Sequence, residues 1–196
     1  MTKRNRLWGW LYTTVLVVAL FAGLYILLVT FAPALPNFGQ GENVQTTVNG
    51  TQPGARGDRL YVPQIGVDVA IVEGSNISVL DKGAWHRQPQ NGNPMTGGNF
   101  VLSAHRFSMG WTPQQTRAKS PFYRIDQLKV GDTFFVDFKG ARYAYAVSRL
   151  YSVPQTAVQI EAQSVEPKLT LYSCDLRGAA AGRYVVEAKP LGKIAG

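Results

Sequence analysis

The chain has 196 residues, 45% of them hydrophobic, and a formal net charge of +8. This length and composition suit one globular domain with a small additional element. The basic balance is compatible with nucleic acid or an anionic envelope. However, the sequence has no zinc-finger spacing, no RNA-binding signature with paired aromatic residues and no basic helix, so we expect no nucleic-acid partner.

The clearest signal is an uncharged, apolar run over residues 7–32. It exceeds the roughly 20 residues that a helix needs to cross a bilayer core, and it predicts a membrane anchor. The basic residues Lys3, Arg4 and Arg6 precede it, so residues 1–6 are expected in the cytoplasm and the remainder outside. The protein would then be a single-pass cell-membrane protein with an extracellular domain. A cleaved leader is the alternative, because residues 32–34, Ala-Pro-Ala, resemble a cleavage site.

Residues 33–58 are rich in Pro, Gly, Asn, Gln and Thr and show no apolar periodicity, which predicts a flexible linker. From residue 59 to residue 196 short β-branched and aromatic runs alternate with turn residues. The predicted strands cover residues 60–62, 67–72, 99–105, 132–138, 141–153, 168–174 and 183–191. We expect helical turns near Val79 and over residues 122–129, a long loop over 108–121 and irregular structure over 154–167. This pattern is typical of an all-β barrel or sandwich.

The only cysteine of the chain, Cys174, ends one of these strands. A lone cysteine outside the cytoplasm is a candidate reactive thiol. The alternative is a buried cysteine that acts as a small hydrophobic residue, since free cysteine is among the most buried residue types.

Two further residues have the chemistry that a reactive thiol needs. His105 ends a strand just before a loop, as Cys174 does, and Arg183 begins the next strand. A thiol, an imidazole and a permanent cation together suggest covalent acyl transfer, in which the cation stabilises an oxyanion. Each residue alone has a simpler role, as a satisfied polar group or a solvated surface residue. Arg177 is a second candidate for the cation, but strand residues such as Arg183 are held more rigidly.

The sequence resembles the sortases, the membrane-anchored cysteine transpeptidases of bacterial surfaces. Residues 170–174, Thr-Leu-Tyr-Ser-Cys, resemble the family's Thr-Leu-any-Thr-Cys signature, with Ser173 in place of the second threonine. Residues 98–106 resemble the segment that reaches the catalytic histidine, with Ala104 where the family usually has glycine, and residues 183–188 resemble the strand with its arginine. The resemblance covers residues 59–191. It implies a mainly β fold, a closed eight-stranded sortase-type barrel with short helices. Because no second apolar span follows, we expect a class E-like or class D-like enzyme.

The resemblance also implies a mechanism. Cys174 would attack the Thr–Gly amide of a Leu-Pro-x-Thr-Gly-like sorting signal on a surface protein, His105 would move protons, and Arg183 would stabilise the oxyanion. An amine of a peptidoglycan precursor or a pilin lysine would then resolve the thioester.

The expected substrate-binding residues surround these three: His86, Ala104, Val158, Ile160 and Ser173. A surface or structural role is the alternative for His86, and packing in the core is the alternative for Val158 and Ile160.

Glu161 and Glu166 are two carboxylates only, whereas calcium takes about 6–8 oxygen ligands, so we expect no metal and no cofactor. Two other functions stay open from the sequence. One is a cysteine peptidase or acyl-transferase that uses water as acceptor. The other is a non-catalytic envelope binding module.

Overall fold

The computed structural model describes residues 3–35 and 40–194. Residues 1–2 of the predicted cytoplasmic segment, residues 36–39 of the predicted linker and residues 195–196, the last two of the predicted catalytic domain, lie outside the described residues. The α-helices are α1 (Lys3–Phe31), α2 (Gln40–Gly50) and α3 (Pro113–Lys119). The strands are β1 (Arg59–Val62), β2 (Val67–Val72), β3 (Ala84–Arg87), β4 (Gly92–Asn93), β5 (Gly97–Ser103), β6 (Thr133–Phe138), β7 (Ala141–Val153), β8 (Lys168–Asp175) and β9 (Gly178–Ile194).

Eight of these strands form a closed barrel. They are hydrogen-bonded in the order β3-β2-β1-β6-β7-β9-β8-β5, and pairing of β5 with β3 closes the ring. The pairs β2–β3 and β5–β8 are parallel and the others are antiparallel, while the two-residue β4 only extends β5. The predicted closed eight-stranded barrel is therefore confirmed.

The barrel interior is filled by aliphatic and aromatic side chains from every wall. In β8, Leu169 and Leu171 are fully buried, as the alternation in the sequence predicts, and they join Phe100 of β5 and Phe134 of β6 in one core. Full burial of one such side chain contributes about 1.5–3 kcal/mol. The barrel walls are thus a rigid scaffold for residues at the strand ends.

The N-terminal helix α1 contains a 24-residue stretch, Trp8–Phe31, with a mean hydropathy of 2.6, and nearly all of its side chains except Val29 are exposed. It is long and apolar enough to cross a membrane, which is consistent with the predicted anchor.

Part of the predicted flexible linker is instead helical. Within residues 33–58 the structure has α2, whose Val44 and Val48 are one turn apart and pack on Tyr61 and Phe135 of the barrel. Arg142 also donates a hydrogen bond to the carbonyl of Val48. The expectation of irregular chain is wrong for α2, because two apolar residues in a polar segment are enough to dock a helix against a buried wall.

The predicted long loop over residues 108–121 contains α3. Thr112 caps this helix, its hydroxyl accepting a hydrogen bond from the Gln115 N–H at 3.2 Å, and Pro113 occupies the first turn. Of the predicted helix over residues 122–129, the structure has only a 3₁₀ turn, Ile125–Gln127. The segment 154–167, which was predicted to be irregular, contains another 3₁₀ turn, Val158–Glu161.

Candidate active site

Three neighbouring strands bring Cys174, His105 and Arg183 to the same end of the barrel. The parallel pair β5–β8 aligns Ser103 with Tyr172, and both chains run two residues further to His105 and Cys174. The antiparallel pair β8–β9 places Arg183 opposite Cys174. The pairing therefore puts the three residues on neighbouring segments at this end of the barrel, with the cysteine in the middle. The sequence prediction was wrong in two details: His105 lies two residues beyond the end of β5, and Arg183 lies within β9, which begins at Gly178.

A hydrogen bond joins the chain of the cysteine to that of the histidine. The Ser173 hydroxyl donates to the Ala104 carbonyl at 2.8 Å, and the Ala104 N–H donates to the Tyr172 carbonyl at 3.4 Å. Ser173 and Ala104 are 1% and 2% exposed, so their side chains face the interior. A serine before the cysteine keeps the hydroxyl that this bond requires, and both residues contribute here by fixing backbone position.

Cys174 is half-buried, and its thiol is free. It is therefore not sealed in the core as a small hydrophobic filler would be. Accessibility is a requirement for a nucleophilic thiol, and the position of Cys174 meets it.

His105 is about one quarter exposed, and an acidic residue lies beside it. Its Nε2 is 3.5 Å from Oδ1 of Asp81, at the end of the 3₁₀ turn Ile77–Asp81. This distance is beyond a normal N–H···O hydrogen bond, so the two side chains are close neighbours that are not hydrogen-bonded. Sequence reasoning missed Asp81, because no motif connects it with a histidine 24 positions later.

The chain after His105 is fixed by a buried arginine. Arg106 is 5% exposed, donates from Nε to the Tyr123 carbonyl at 2.9 Å and pairs through its terminal nitrogen with Asp126 at 2.9 Å. The Phe122 N–H also donates to the His105 carbonyl at 3.2 Å. These bonds hold the histidine in place although it lies outside a strand.

The two candidate arginines have different surroundings. Arg183 is half-buried, and one terminal nitrogen donates to the carbonyls of Ala179 at 2.7 Å and Gly182 at 3.0 Å. Arg177 is 78% exposed and pairs with Asp175 at 3.0 Å. The hydrogen bonds from Arg177 lower the pKa of Asp175 to about 2. Arg183 opposite Cys174 is thus the better placed of the two.

His86 lies in the core. It is 2% exposed, with Nδ1 3.2 Å from Glu73 Oε1 and Nε2 3.2 Å from the Gly92 carbonyl. Its ring packs edge-to-face on Phe100 at 4.7 Å between centroids. These contacts are those of a structural histidine, the alternative that the sequence left open.

The 3₁₀ turn Val158–Glu161 presents one apolar side chain to solvent and buries the other. Val158 is 77% exposed, whereas Ile160 is 7% exposed. Of these two candidate substrate-binding residues, only Val158 has a side chain open to a ligand in this structure.

Glu161 fastens this turn to the barrel. Its carboxylate accepts hydrogen bonds from Arg87 at 2.8 and 3.2 Å and from the Tyr172 hydroxyl, two residues before Cys174. Burial alone would raise the pKa of Glu161, but these hydrogen bonds outweigh it and the net pKa is lowered. Burial and the same carboxylate raise the pKa of Tyr172 to about 12. Sequence reasoning missed Arg87 and Tyr172, because their contact with Glu161 exists only in the folded barrel.

Within residues 3–35 and 40–194, no group of three or more His, Cys, Asp or Glu side chains gathers in a way that would hold a metal ion.

The chain was compared with known families and structures. A family model described as the sortase domain matches residues 60–191. A solved structure of a Clostridium perfringens sortase D5 transpeptidase is similar, with 24% identity and a TM-score of 0.58 over 77% of this chain and 88% of that chain. Sortase A of Listeria monocytogenes has 21% identity and a TM-score of 0.60 over 70% and 90% of the two chains.

A pilus-related sortase C of group B Streptococcus has 25% identity and a TM-score of 0.56 over 68% of this chain and 66% of that chain. The similar structures thus represent classes D, A and C, and they do not select one class. The comparison with curated proteins gives no match.

Proposed function

Because this chain belongs to the sortase family, we propose that it is a cysteine transpeptidase that cleaves an LPxTG-like sorting signal and joins the acyl fragment to an amine. The proposal rests on one observation: Arg183 of β9 pairs with Cys174 of β8, and His105 lies two residues beyond the end of β5, the strand on the other side of β8. A non-catalytic envelope binding module does not require a thiol, an imidazole and a guanidinium at one end of its barrel.

In the first half-reaction, the Cys174 thiolate attacks the carbonyl carbon of the threonine in the Thr–Gly bond. The carbonyl electrons move to oxygen, and the guanidinium of Arg183 stabilises this oxyanion. Protonated His105 gives its proton to the leaving glycine nitrogen as the C–N bond breaks. The products are a thioester on Cys174, a released amine and neutral His105.

In the second half-reaction, an amine attacks the thioester carbon and His105 accepts the proton that the amine loses. The C–S bond breaks, a new amide forms, and the thiolate–imidazolium pair is restored. With water in place of the amine, the same steps give hydrolysis and a free carboxylate.

Asp81 is a positioning residue in this scheme. Its carboxylate, 3.5 Å from His105 Nε2, lies beside the imidazole ring that gives and accepts the proton. It does not touch the reacting atoms.

The substrate peptide is expected to lie along the rim between Cys174 and the Val158–Glu161 turn, with exposed Val158 as an apolar contact for its Leu-Pro part. Buried Ala104 and Ser173 fix the backbone beneath this rim through the hydrogen bond between them.

The partners proposed for this enzyme are surface proteins with a C-terminal sorting signal and an amine on a peptidoglycan precursor or a pilin lysine. The pilin alternative is motivated by similarity to a sortase C described as pilus-related. The proposed location is the cell membrane, with α1 as a single span, the N-terminus in the cytoplasm and the barrel outside.

The test uses the full chain in lipid nanodiscs with a library of candidate pentapeptides, with and without an added amine, and mass spectrometry of protein and products. We expect a covalent acyl–protein adduct that Cys174→Ala abolishes, and a ligated product that appears only with the amine. Cleavage that gives only the hydrolysed product, with or without the added amine, would support a peptidase instead. No adduct with any peptide, together with a thiol that does not react in the folded protein, would support the binding module.

A further inference from the structure

The loop that follows His105 exposes an unusual amount of apolar surface. Residues 107–111, Phe-Ser-Met-Gly-Trp, are named the apolar loop here. Phe107 is 40% exposed, Met109 56% and Trp111 87%. Clustered apolar side chains on a surface mark an interaction site more often than scattered single ones do.

The exposure is built into the loop. The Ser108 N–H donates to the Ser120 hydroxyl at 3.0 Å, the Gly110 N–H to the Thr116 hydroxyl at 3.0 Å, and the Trp111 N–H to the Gln115 side-chain carbonyl at 3.0 Å. The backbone is thus satisfied internally by α3 and the residue after it. The apolar side chains are held outward and find no place in the core.

The apolar loop also contacts the anchor helix. The Tyr25 hydroxyl donates to the Trp111 carbonyl at 2.7 Å, across 86 positions of sequence. Tyr25 lies six residues before the end of α1 at Phe31, or about 9 Å along the helix axis. The apolar loop therefore lies beside the last two turns of the apolar stretch, Trp8–Phe31.

The end of the anchor is fixed to the barrel domain as well. Arg117 of α3 donates to the Ala32 carbonyl at 2.8 Å, and Arg124 donates to the carbonyls of Pro33 at 3.2 Å, Ala34 at 3.3 Å and Leu35. Two cations at the C-terminal end of a helix also match its dipole. With the junction held by these bonds, the depth of α1 sets the depth of the apolar loop.

The exposed apolar side chains of the loop and its fixed position beside the end of α1 together indicate that lipid covers the loop surface. If α1 crosses the membrane, its last two turns occupy the outer interface, where tyrosine and tryptophan are favoured because one end of the ring is apolar and the other is polar. We propose that Phe107, Met109 and Trp111 insert into the outer interface of the membrane that α1 crosses. His105, two residues before Phe107, is then held at the level of the lipid headgroups. The proposal depends on the membrane anchoring that is part of the proposed function, but it does not depend on catalysis.

The test uses tryptophan fluorescence of the full chain in lipid nanodiscs. The chain has four tryptophans, Trp8, Trp10, Trp85 and Trp111. The variant Trp8→Phe/Trp10→Phe leaves Trp111 and the buried Trp85. Adding Trp111→Phe gives the Trp85 background. Two quenchers are compared, iodide in the water and lipids with brominated acyl chains.

Val165 offers a matched control. It is fully exposed and lies just before β8 begins at Lys168, whereas the apolar loop follows the end of β5. Because β5 and β8 are parallel, the two sites lie at opposite ends of these strands. Val165→Trp in the background without Trp8, Trp10 and Trp111 is expected to be quenched by iodide and not by brominated lipid.

We expect the opposite for Trp111, with brominated lipid reducing its emission severalfold more than that of Val165→Trp, and iodide having little effect. Iodide quenching equal to that of the control would overturn the proposal, because Trp111 would then lie in water. Protection from iodide without quenching by brominated lipid would also overturn it and would show that protein covers the loop. Peptide cleavage by the same samples is measured separately, so that failure of insertion and failure of the enzymatic function are distinguishable.

Discussion

At the scale of single residues, the choice between Arg183 and Arg177 can be decided by substitution. Arg183→Ala is expected to reduce turnover by at least about 100-fold, the scale of losing an oxyanion donor. Arg183→Lys should rescue little, because an ammonium does not reproduce the planar guanidinium. Arg177→Ala is the matched control, since Arg177 is exposed and paired with Asp175. The measurement is kcat with a sorting peptide, and a silent Arg183→Ala beside a damaging Arg177→Ala would show that the assignment is wrong.

Asp81 gives a second prediction at this scale. Asp81→Asn keeps the shape of the side chain but removes the charge 3.5 Å from His105. We expect kcat to fall by about 3- to 10-fold with KM unchanged, the effect of about 0.6 to 1.4 kcal/mol on the transition state. Asp81→Glu should recover part of the loss.

The control for Asp81 is Glu166→Gln, which removes an exposed carboxylate just before β8, at the far end of the strand from Cys174. Equal losses in both variants, or a change confined to KM, would contradict a positioning role for Asp81.

At the scale of elements, the turn Val158–Glu161 should loosen in acid. The pKa of Glu161 is lowered in the folded protein from its usual 4.5, so its contribution to stability is fully present above that value. It is lost as the pH falls through the lower folded value. Glu161→Gln should lower the free energy of unfolding at pH 7 by about 1–3 kcal/mol, since hydrogen bonds to a charged group are lost.

Chemical denaturation at a series of pH values checks this. The native protein should lose stability as the pH falls below the usual carboxyl pKa of 4.5 and through the lower pKa of the folded state, and Glu161→Gln should lose less over the same range. Glu166→Gln serves again as the control and should follow the native curve. If Glu161→Gln and the native protein change in parallel, Glu161 does not hold the turn.

A second element, the bulge before Arg183, depends on a glycine. Strand pairing jumps from Cys174–Arg183 to Asp175–Gly178, which leaves residues 179–182 outside the ladder. Gly182 has φ of +128°, and a Cβ there would come within 2.5 Å of the Val153 carbonyl oxygen. Gly182→Ala should therefore displace the neighbouring Arg183 and lower kcat more than about 10-fold, as misplacement of a catalytic group does.

Gly178→Ala is the matched control for the bulge. Gly178 also has a positive φ, +113°, but a Cβ there would meet no atom within 4 Å. Gly178→Ala therefore introduces the same kind of backbone strain without a steric clash. We expect it to lower the stability of the protein and to leave kcat nearly unchanged. Equal kcat values for the two variants would show that the bulge does not position Arg183.

At the scale of the whole molecule, what the sequence predicts depends on how local each signal is. The hairpin at Lys139 and Gly140 was predictable, because a Lys-Gly pair separates two runs of alternating residues. In the structure both residues adopt positive φ in the turn between β6 and β7. The burial of Leu169 and Leu171 followed from the same alternation. The strand with Cys174 was likewise placed from local pattern, and the strand before His105 was placed to within two residues, since it ends at Ser103. The catalytic roles of both residues stay a prediction.

Contacts between distant segments were not predictable. The bonds from Arg124 to Leu35 and from Tyr25 to Trp111 span 89 and 86 positions, and neither end carries a local pattern. The same holds for Asp81 beside His105. Only closure of the barrel and docking of α1 bring these pairs together, so a single sequence contains no periodicity from which to infer them.

The orientation of the whole chain gives the last prediction. The basic start of the sequence and the apolar helix Trp8–Phe31 predict that the N-terminus lies in the cytoplasm and the barrel outside. In wall-stripped cells that express the chain with different tags at its two ends, external protease should remove the C-terminal tag and leave the N-terminal tag intact. A C-terminal tag that resists protease until the membrane is opened would reverse the orientation. Loss of the N-terminal tag before any protease is added would mean that the chain is cleaved near Ala34 and that the barrel is secreted. The hydrogen bonds from Arg117 and Arg124 to the end of α1 would then not connect the barrel to a membrane anchor.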